Sequence, residues 1–124
     1  MARRVTNQQY FVYTLLLANN NFYVGITNNP SRRVNEHSSH VGAEWTKLFP
    51  PLQVVQVKPL PLGCTKQQLE FYETLETLNV MRQVGWRRVR GGAFVRVNEV
   101  HTARMLKDSR NQAKYRYNAS MFGL

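Results

Sequence analysis

Residues 10–37 read YFVYTLLLANNNFYVGITNNPSRRVNEH, and this stretch decides the fold. Residues 10–17 (YFVYTLLL) are apolar on both faces of an extended chain, which predicts a central strand. Asn19, Asn20 and Asn21 form a polar turn, since asparagine tolerates the left-handed backbone. Residues 22–27 (FYVGIT) predict a second strand, so the two make a hairpin. With the three asparagines as the loop, Leu17 faces Tyr23 and Tyr13 faces Thr27. Directly paired residues share a face, so Tyr13 and Tyr23 then project from one side of the sheet. Asn29 before Pro30 is a helix start, a capping side chain followed by a residue already set to helical φ. That helix is expected to run to about His40, where Val41 and Gly42 end it.

Outward from this stretch the punctuation continues. Pro50 and Pro51 precede a third strand at 52–57 (LQVVQV), and Pro59, Pro61 and Gly63 make the next connection. Thr65 and Gln68 have capping-box spacing and open a long helix to about Val84, closed by Gly85. A short GGAFVRV segment follows, then a basic helix expected from about Glu99 to Tyr117. The order β-β-α-β-α predicts a small α/β domain, a three-stranded antiparallel sheet flanked by helices. The expected organisation is a domain over residues 1–95 and an appended basic extension over 96–124.

The chain has 124 residues, enough for one core, and 43% of them are hydrophobic. The longest apolar run, about Phe11 to Ala18, falls well short of the roughly 20 residues a membrane span needs, so no membrane partner is expected. The start MARRVTNQQY has arginines but no apolar stretch behind them, unlike a secretory signal. Cys64 stands alone, which excludes an internal disulfide and fits an intracellular setting, cytoplasm or nucleus. The net charge of +10 and pI near 10.4 attract polyanions. From Arg82 onward Lys and Arg outnumber Glu99 and Asp108 ten to two, and they alternate with Trp86, Phe94, Tyr115 and Tyr117. Basic residues interleaved with aromatics favour nucleic acid over a merely solvated surface.

Several polar residues stand out chemically. Arg33 and His37 are four apart, hence on one helix face. Arginine offers a fixed donor fork for phosphate oxygens, and histidine titrates near neutrality. In an isolated pair, the plainer reading is a surface arginine and a packed histidine. Glu73 shares a helix face with Leu69 and Val80, where a carboxylate is disfavoured unless compensated. One carboxylate with waters and substrate phosphate is a common way to hold Mg²⁺, and Mn²⁺ could stand in. Glu70 and Glu76 flank Glu73 and would take its place if the helix register differed by a turn. Strand tyrosines such as Tyr13 and Tyr23 are most often core residues with a hydrogen-bonded hydroxyl. Gly25 suits a close backbone approach. His37, His40, His101 and Cys64 lack zinc-site spacing, Cys64 has no nearby base, and Gly91-Gly92 lacks a P-loop lysine.

Phe11-Val12-Tyr13, Tyr23-Val24-Gly25 and the helix NNPSRRVNEH together resemble the GIY-YIG nuclease motif. The first triplet keeps only its tyrosine, while Arg33 and His37 match in type and spacing. GAEWTK (42–47) and VRGGAF (89–94) resemble one branch of that family, found in large viruses and mobile elements. In that branch a glutamate lies eight residues before a methionine, as Glu73 lies before Met81. The resemblance covers about residues 10–95. It implies a DNA endonuclease in which Tyr13, Tyr23, Arg33, His37 and Glu73 form one active site. One tyrosine then activates or positions the attacking water and the other holds substrate phosphate.

The chain departs from the family at one point. An asparagine expected just before Val89 is replaced by Arg88, leaving Asn98 to substitute if the fold returns it. The alternatives are therefore a catalytically weak or inactive nucleic-acid-binding module and a structural virion or partner-binding protein. DNA contacts are expected from Gly25, Arg32, Lys47, Arg87, Arg88, Arg90, Arg104, Lys107 and Lys114. A homodimer or a protein partner would add specificity, since the chain has no room for a separate DNA-reading domain.

Overall fold

The computed structural model describes residues 8–38 and 43–124, without the side chains of Val34, His37 and Ser38. The hairpin comes first: β1 (Phe11–Leu17), a 3-10 turn over Ala18–Asn20, and β2 (Asn21–Thr27). Asn19 and Asn20 carry the left-handed conformations, with φ of 60° and 58°. Asn21 instead is extended and buried, and its amide closes the turn by donating to the Ala18 carbonyl at 3.1 Å. The loop is therefore 18–20 rather than 19–21, and the pairing moves by two. Tyr13 faces Gly25, and Leu15 faces Tyr23. A displacement of two preserves side-chain parity, so Tyr13 and Tyr23 still share a face, their ring centres 6.3 Å apart.

Helix α1 spans Pro30–Ser38, with the Asn29 side chain accepting from the Arg32 amide, and its expected end near His40 lies outside the described residues. A short α2 (Glu44–Leu48) follows, then β3 (Pro51–Pro59), the capped α3 (Lys66–Val84), a 3-10 turn at Trp86–Arg88 and β4 (Val89–Gly91). The capping box of α3 is present in both directions between Thr65 and Gln68. The sheet has four strands in the order β3-β1-β2-β4, and β4 runs parallel to β2. The expected three-stranded antiparallel sheet is thus corrected to a mixed one. Its fourth strand has three residues, too few for any alternation to register.

The two sheet faces carry separate clusters. On one, Tyr13, Leu15, Leu17 and Tyr23 pack with Trp45 of α2. On the other, Val12 and Val24 meet Leu78 and Met81 of α3. The same cluster takes in Leu106 and Tyr115 from the C-terminal part of the chain. That part is α4 (Glu99–Lys107), α5 (Ser109–Tyr115) and a 3-10 turn at Ala119–Phe122. The single helix expected over 99–117 is broken at Asp108, whose carboxylate accepts from the amides of Arg110 and Asn111 and so starts a new helix. One continuous basic face through Arg104, Lys107, Asn111 and Lys114 is therefore not formed. Residues 96–124 pack on the core instead of trailing from it. No helix among the described residues is long and apolar enough to cross a membrane.

Candidate active site

Gly25 and Tyr13 define the floor of the site. A Cβ at Gly25 would lie 2.5 Å from the Tyr13 Cζ, so the glycine makes room for the ring crossing it from β1. The close approach foreseen at Gly25 is thus filled by the chain's own tyrosine. Tyr13 is 1% exposed, and Arg33 of α1 donates to its hydroxyl through Nε at 3.3 Å. Burial first, then the neighbouring Tyr23, push the Tyr13 phenol above its ordinary pKa, and Arg33 pulls it back in part. Tyr23 is raised too, by burial and then by the charge of Glu73, with Arg33 opposing. Neither phenol ionises readily at neutral pH in this state.

Arg33 is doubly anchored. Besides Tyr13, its Nη1 donates to Glu36 at 2.6 Å, a pair one helical turn long. Burial works against its charge, but the bonds to Glu36 and Tyr13 outweigh it and hold the guanidinium protonated. Glu36 was not foreseen as a partner, although the three-residue spacing from Arg33 could have shown it. His37 lies on the same helix, and its side chain lies outside the described residues.

Glu73 approaches from α3. Strand β4 pairs with β2 only as far as Val24, and the Ile26 amide beyond it donates to the Glu73 carboxylate. Gly92 permits this closeness: a Cβ there would meet the Thr74 Cα at 2.7 Å. Burial, countered in part by Ile26 and reinforced by Glu70, raises the Glu73 carboxyl to about 7. Its charge is felt by both tyrosines and by Arg33, so four of the expected residues form one electrostatic group. The neighbouring glutamates separate clearly. Glu70 is exposed, while Glu76 pairs with Lys58 of β3 at 3.2 Å. Among the described residues no three His, Cys, Asp or Glu gather into a ready metal cluster. The carboxylate placed to meet a cation here is Glu73, with the exposed Glu70 beside it.

The basic residues divide sharply. Arg32, Lys47, Arg87, Arg88, Arg104, Lys107 and Lys114 are exposed. Arg87 stacks on Trp86 at 4.6 Å and lies 3.5 Å from Glu99. Arg90 is different, being 0% exposed. It donates to the carbonyls of Trp86, Arg87, Val89, Arg96 and Val97, and its guanidinium lies 4.5 Å from the Trp45 ring centre. Burial lowers its pKa to about 10. A side chain so enclosed cannot reach a DNA backbone, so the contact expected of Arg90 gives way to an internal brace between GAEWTK and VRGGAF. Trp45 completes that brace by donating from its indole to the Phe22 carbonyl at 3.0 Å. Arg88 enters beside the start of β2, at the far end of the strand from Ile26. Asn98 caps α4 by accepting from the His101 amide at 2.9 Å, and so does not return to the site.

The model of the GIY-YIG catalytic domain matches residues 9–76, over half of the chain. A UPF0213 protein of Xanthomonas campestris pv. campestris is 34% identical over 82 residues, covering 66% of this chain and 78% of the relative. UPF0213 protein YazA of Bacillus subtilis is 30% identical over 67 residues, 54% of this chain and 67% of its own length. A UPF0213 protein of Limosilactobacillus reuteri is 39% identical over 44 residues, 36% of this chain and 46% of its own length. These relatives are bacterial and do not speak for a viral or mobile-element branch. No solved structure matches.

Proposed function

The chain belongs to the GIY-YIG family, which gives it a nuclease-type function, and we propose that it hydrolyses DNA phosphodiester bonds with one Mg²⁺ or Mn²⁺ at Glu73. The observation that carries this reading is the half-buried Glu73 carboxylate facing Arg33 and both tyrosines. A carboxylate drawn out of water beside a like charge is costly to ionise, and a divalent cation offsets that cost. Its hard oxygen donor suits Mg²⁺, which keeps several waters and takes one or two carboxylates plus phosphate. A bound ion would supply Lewis-acid polarisation of a phosphate oxygen.

The chain's own groups do the rest. Arg33 presents a guanidinium held by Tyr13 and Glu36, and steadies charge developing on the non-bridging oxygens. Glu36 competes with phosphate for that guanidinium, so substrate binding displaces one carboxylate by another anion. His37, with Tyr13 or Tyr23, moves protons at the attacking water and the departing sugar oxygen. The phenols become more acidic once the charge of Glu73 is compensated, because that charge is one cause of their raised pKa. The exposed Arg32, Lys47, Arg87 and Arg88 hold the DNA backbone as surface charges. A second copy or a protein partner would sharpen sequence choice.

A second reading, a binding module without cleavage, draws on Arg88, which stands where the family's asparagine is expected. Incubating supercoiled plasmid with the purified chain in Mg²⁺, in EDTA, and with Glu73→Ala separates the two. The nuclease reading expects nicking that needs both the ion and Glu73. Binding without nicking would leave the module.

A further inference from the structure

Two cavities meet at Glu70 and Tyr115, one turn of α3 from Glu73. One, of about 270 Å³, is lined by Glu73, Glu70 and Tyr115. The other, of about 800 Å³, continues from Glu70 and Tyr115 past Phe71 and Tyr72 to Lys114. Glu70 and Tyr115 line both, so together they make one groove between α3 and α5 that opens onto the candidate site. Resting on the nuclease reading above, we propose that this groove carries the DNA strand leading away from the reacting phosphate, with Lys114 holding a phosphate along it.

The groove is chemically graded. Its inner end has two carboxylates, Glu73 and Glu70, where a cation gathers and a bare phosphate is repelled. Its outer end has the Lys114 ammonium, placed 5.3 Å from the centre of the Tyr115 ring. Between them Phe71 stacks on Tyr115 with centres 5.5 Å apart, and Tyr72 meets Phe71 edge to face at 6.3 Å. These rings form an apolar wall for the sugars of a strand whose charge is met only at its phosphates. The helix end beside the groove is not what attracts the anion. Thr65 and Gln68 already cap one another there. Arg110, next to α5's start, is engaged by Asp108 at 3.4 Å, whereas Lys114 faces the groove. The break at Asp108 thus has a consequence for function, since it turns α5 and places Lys114 over α3.

The test uses the full chain and one labelled oligonucleotide, offered as duplex and as single strand, in EDTA so that nothing is cut. Lys114→Glu is compared with Arg82→Glu, which makes the same change in net charge at the other end of α3. Lys114→Glu is expected to weaken binding about tenfold and to lower the salt slope of log K by roughly one unit, the share of one phosphate. Arg82→Glu is expected to stay within about threefold of wild type, the effect of net charge alone. Lys114→Gln should fall in the same direction as Lys114→Glu, and melting curves confirm that each variant is folded. Equal losses at Lys114 and Arg82, or none at Lys114, would overturn the groove and leave the cleavage account standing. A wild-type chain that binds neither form here, and that nicks no plasmid in Mg²⁺, would overturn both.

Discussion

Arg33 and Arg90 are both arginines beside aromatic rings, and they do opposite work. Arg33 is half-exposed and held by a carboxylate and a phenol at the edge of a cleft. Arg90 is fully enclosed, held by five backbone carbonyls and an indole, with no carboxylate bonded to it among the described residues. The difference lies in what each would lose. Arg33 can exchange Glu36 for a phosphate without disturbing the core, so its charge is available to a ligand. Arg90 cannot leave without breaking these bonds, of which those to the Trp86 and Val89 carbonyls are buried. A basic residue on a basic chain is thus assigned by its surroundings rather than by its charge.

The comparison can be broken at its structural end first. Truncation after Asn98 removes the buried Thr102, Leu106, Tyr115 and Ala119 from the core. A salt-slope argument from the sequence would treat the extension as a DNA clamp whose loss costs affinity. The packing instead predicts loss of cooperative folding, since four buried side chains exceed the few kcal/mol by which domains are stable. A truncated chain that melts like wild type, with only a lower salt slope, would restore the clamp.

Arg90→Met comes next. It should lower stability by about 3 kcal/mol or more, through unsatisfied carbonyls and the lost indole contact, and melting curves read it directly. Arg33→Met should leave the melting temperature within a few degrees while cleavage falls by about two orders of magnitude. Arg33→Lys should lose nearly as much, because one ammonium cannot bond the Tyr13 hydroxyl and a phosphate with a planar fork. Similar melting losses for the two methionine variants would erase the distinction between site and brace.

The smallest effect is a pH dependence at Glu73. Its folded pKa of about 7 lies above the ordinary value of 4.5. The folded state therefore binds the proton more tightly, and the stability this gives is full below about 4.5 and lost as pH rises through about 7. Without divalent ions, Glu73→Gln should match wild type at low pH and exceed it at pH 8 by about 2 kcal/mol, discounted for partial exposure. Mg²⁺ at pH 8 should then raise the melting temperature of wild type and not of the variant. A difference independent of pH would remove the burial argument.

Much of this was legible in local signals. Asn29-Pro30, the Thr65–Gln68 box and Gly85 each mark a helix end by chemistry confined to a few residues, and the structure has all three. The shared face of Tyr13 and Tyr23 survived a misplaced turn because strand parity repeats every two residues. Glu73 and Glu76 both share a helix face with Leu69 and Val80, so the sequence left them alike, and their partners separate them: Lys58 holds Glu76, while the Ile26 amide reaches Glu73. What stayed hidden depends on distant partners. β4 is a strand because β2 lies beside it, and Asp108 divides a helix whose periodicity runs on past it. Arg87, Arg88 and Arg90 look alike in sequence, and the one that turns inward lies against Trp45, far away in the chain.

The account's central claim is that Glu73, and not a neighbouring glutamate, completes the site with Arg33 and the tyrosines. The most direct test compares cleavage rates of Glu73→Gln, Glu70→Gln and Glu76→Gln at saturating Mg²⁺ and DNA. The account predicts a loss of about two orders of magnitude or more for Glu73→Gln. It predicts a change within about threefold for Glu76→Gln, whose wild-type carboxylate is occupied by Lys58 on an outer strand. A Glu73→Gln protein that cuts at the wild-type rate would contradict it.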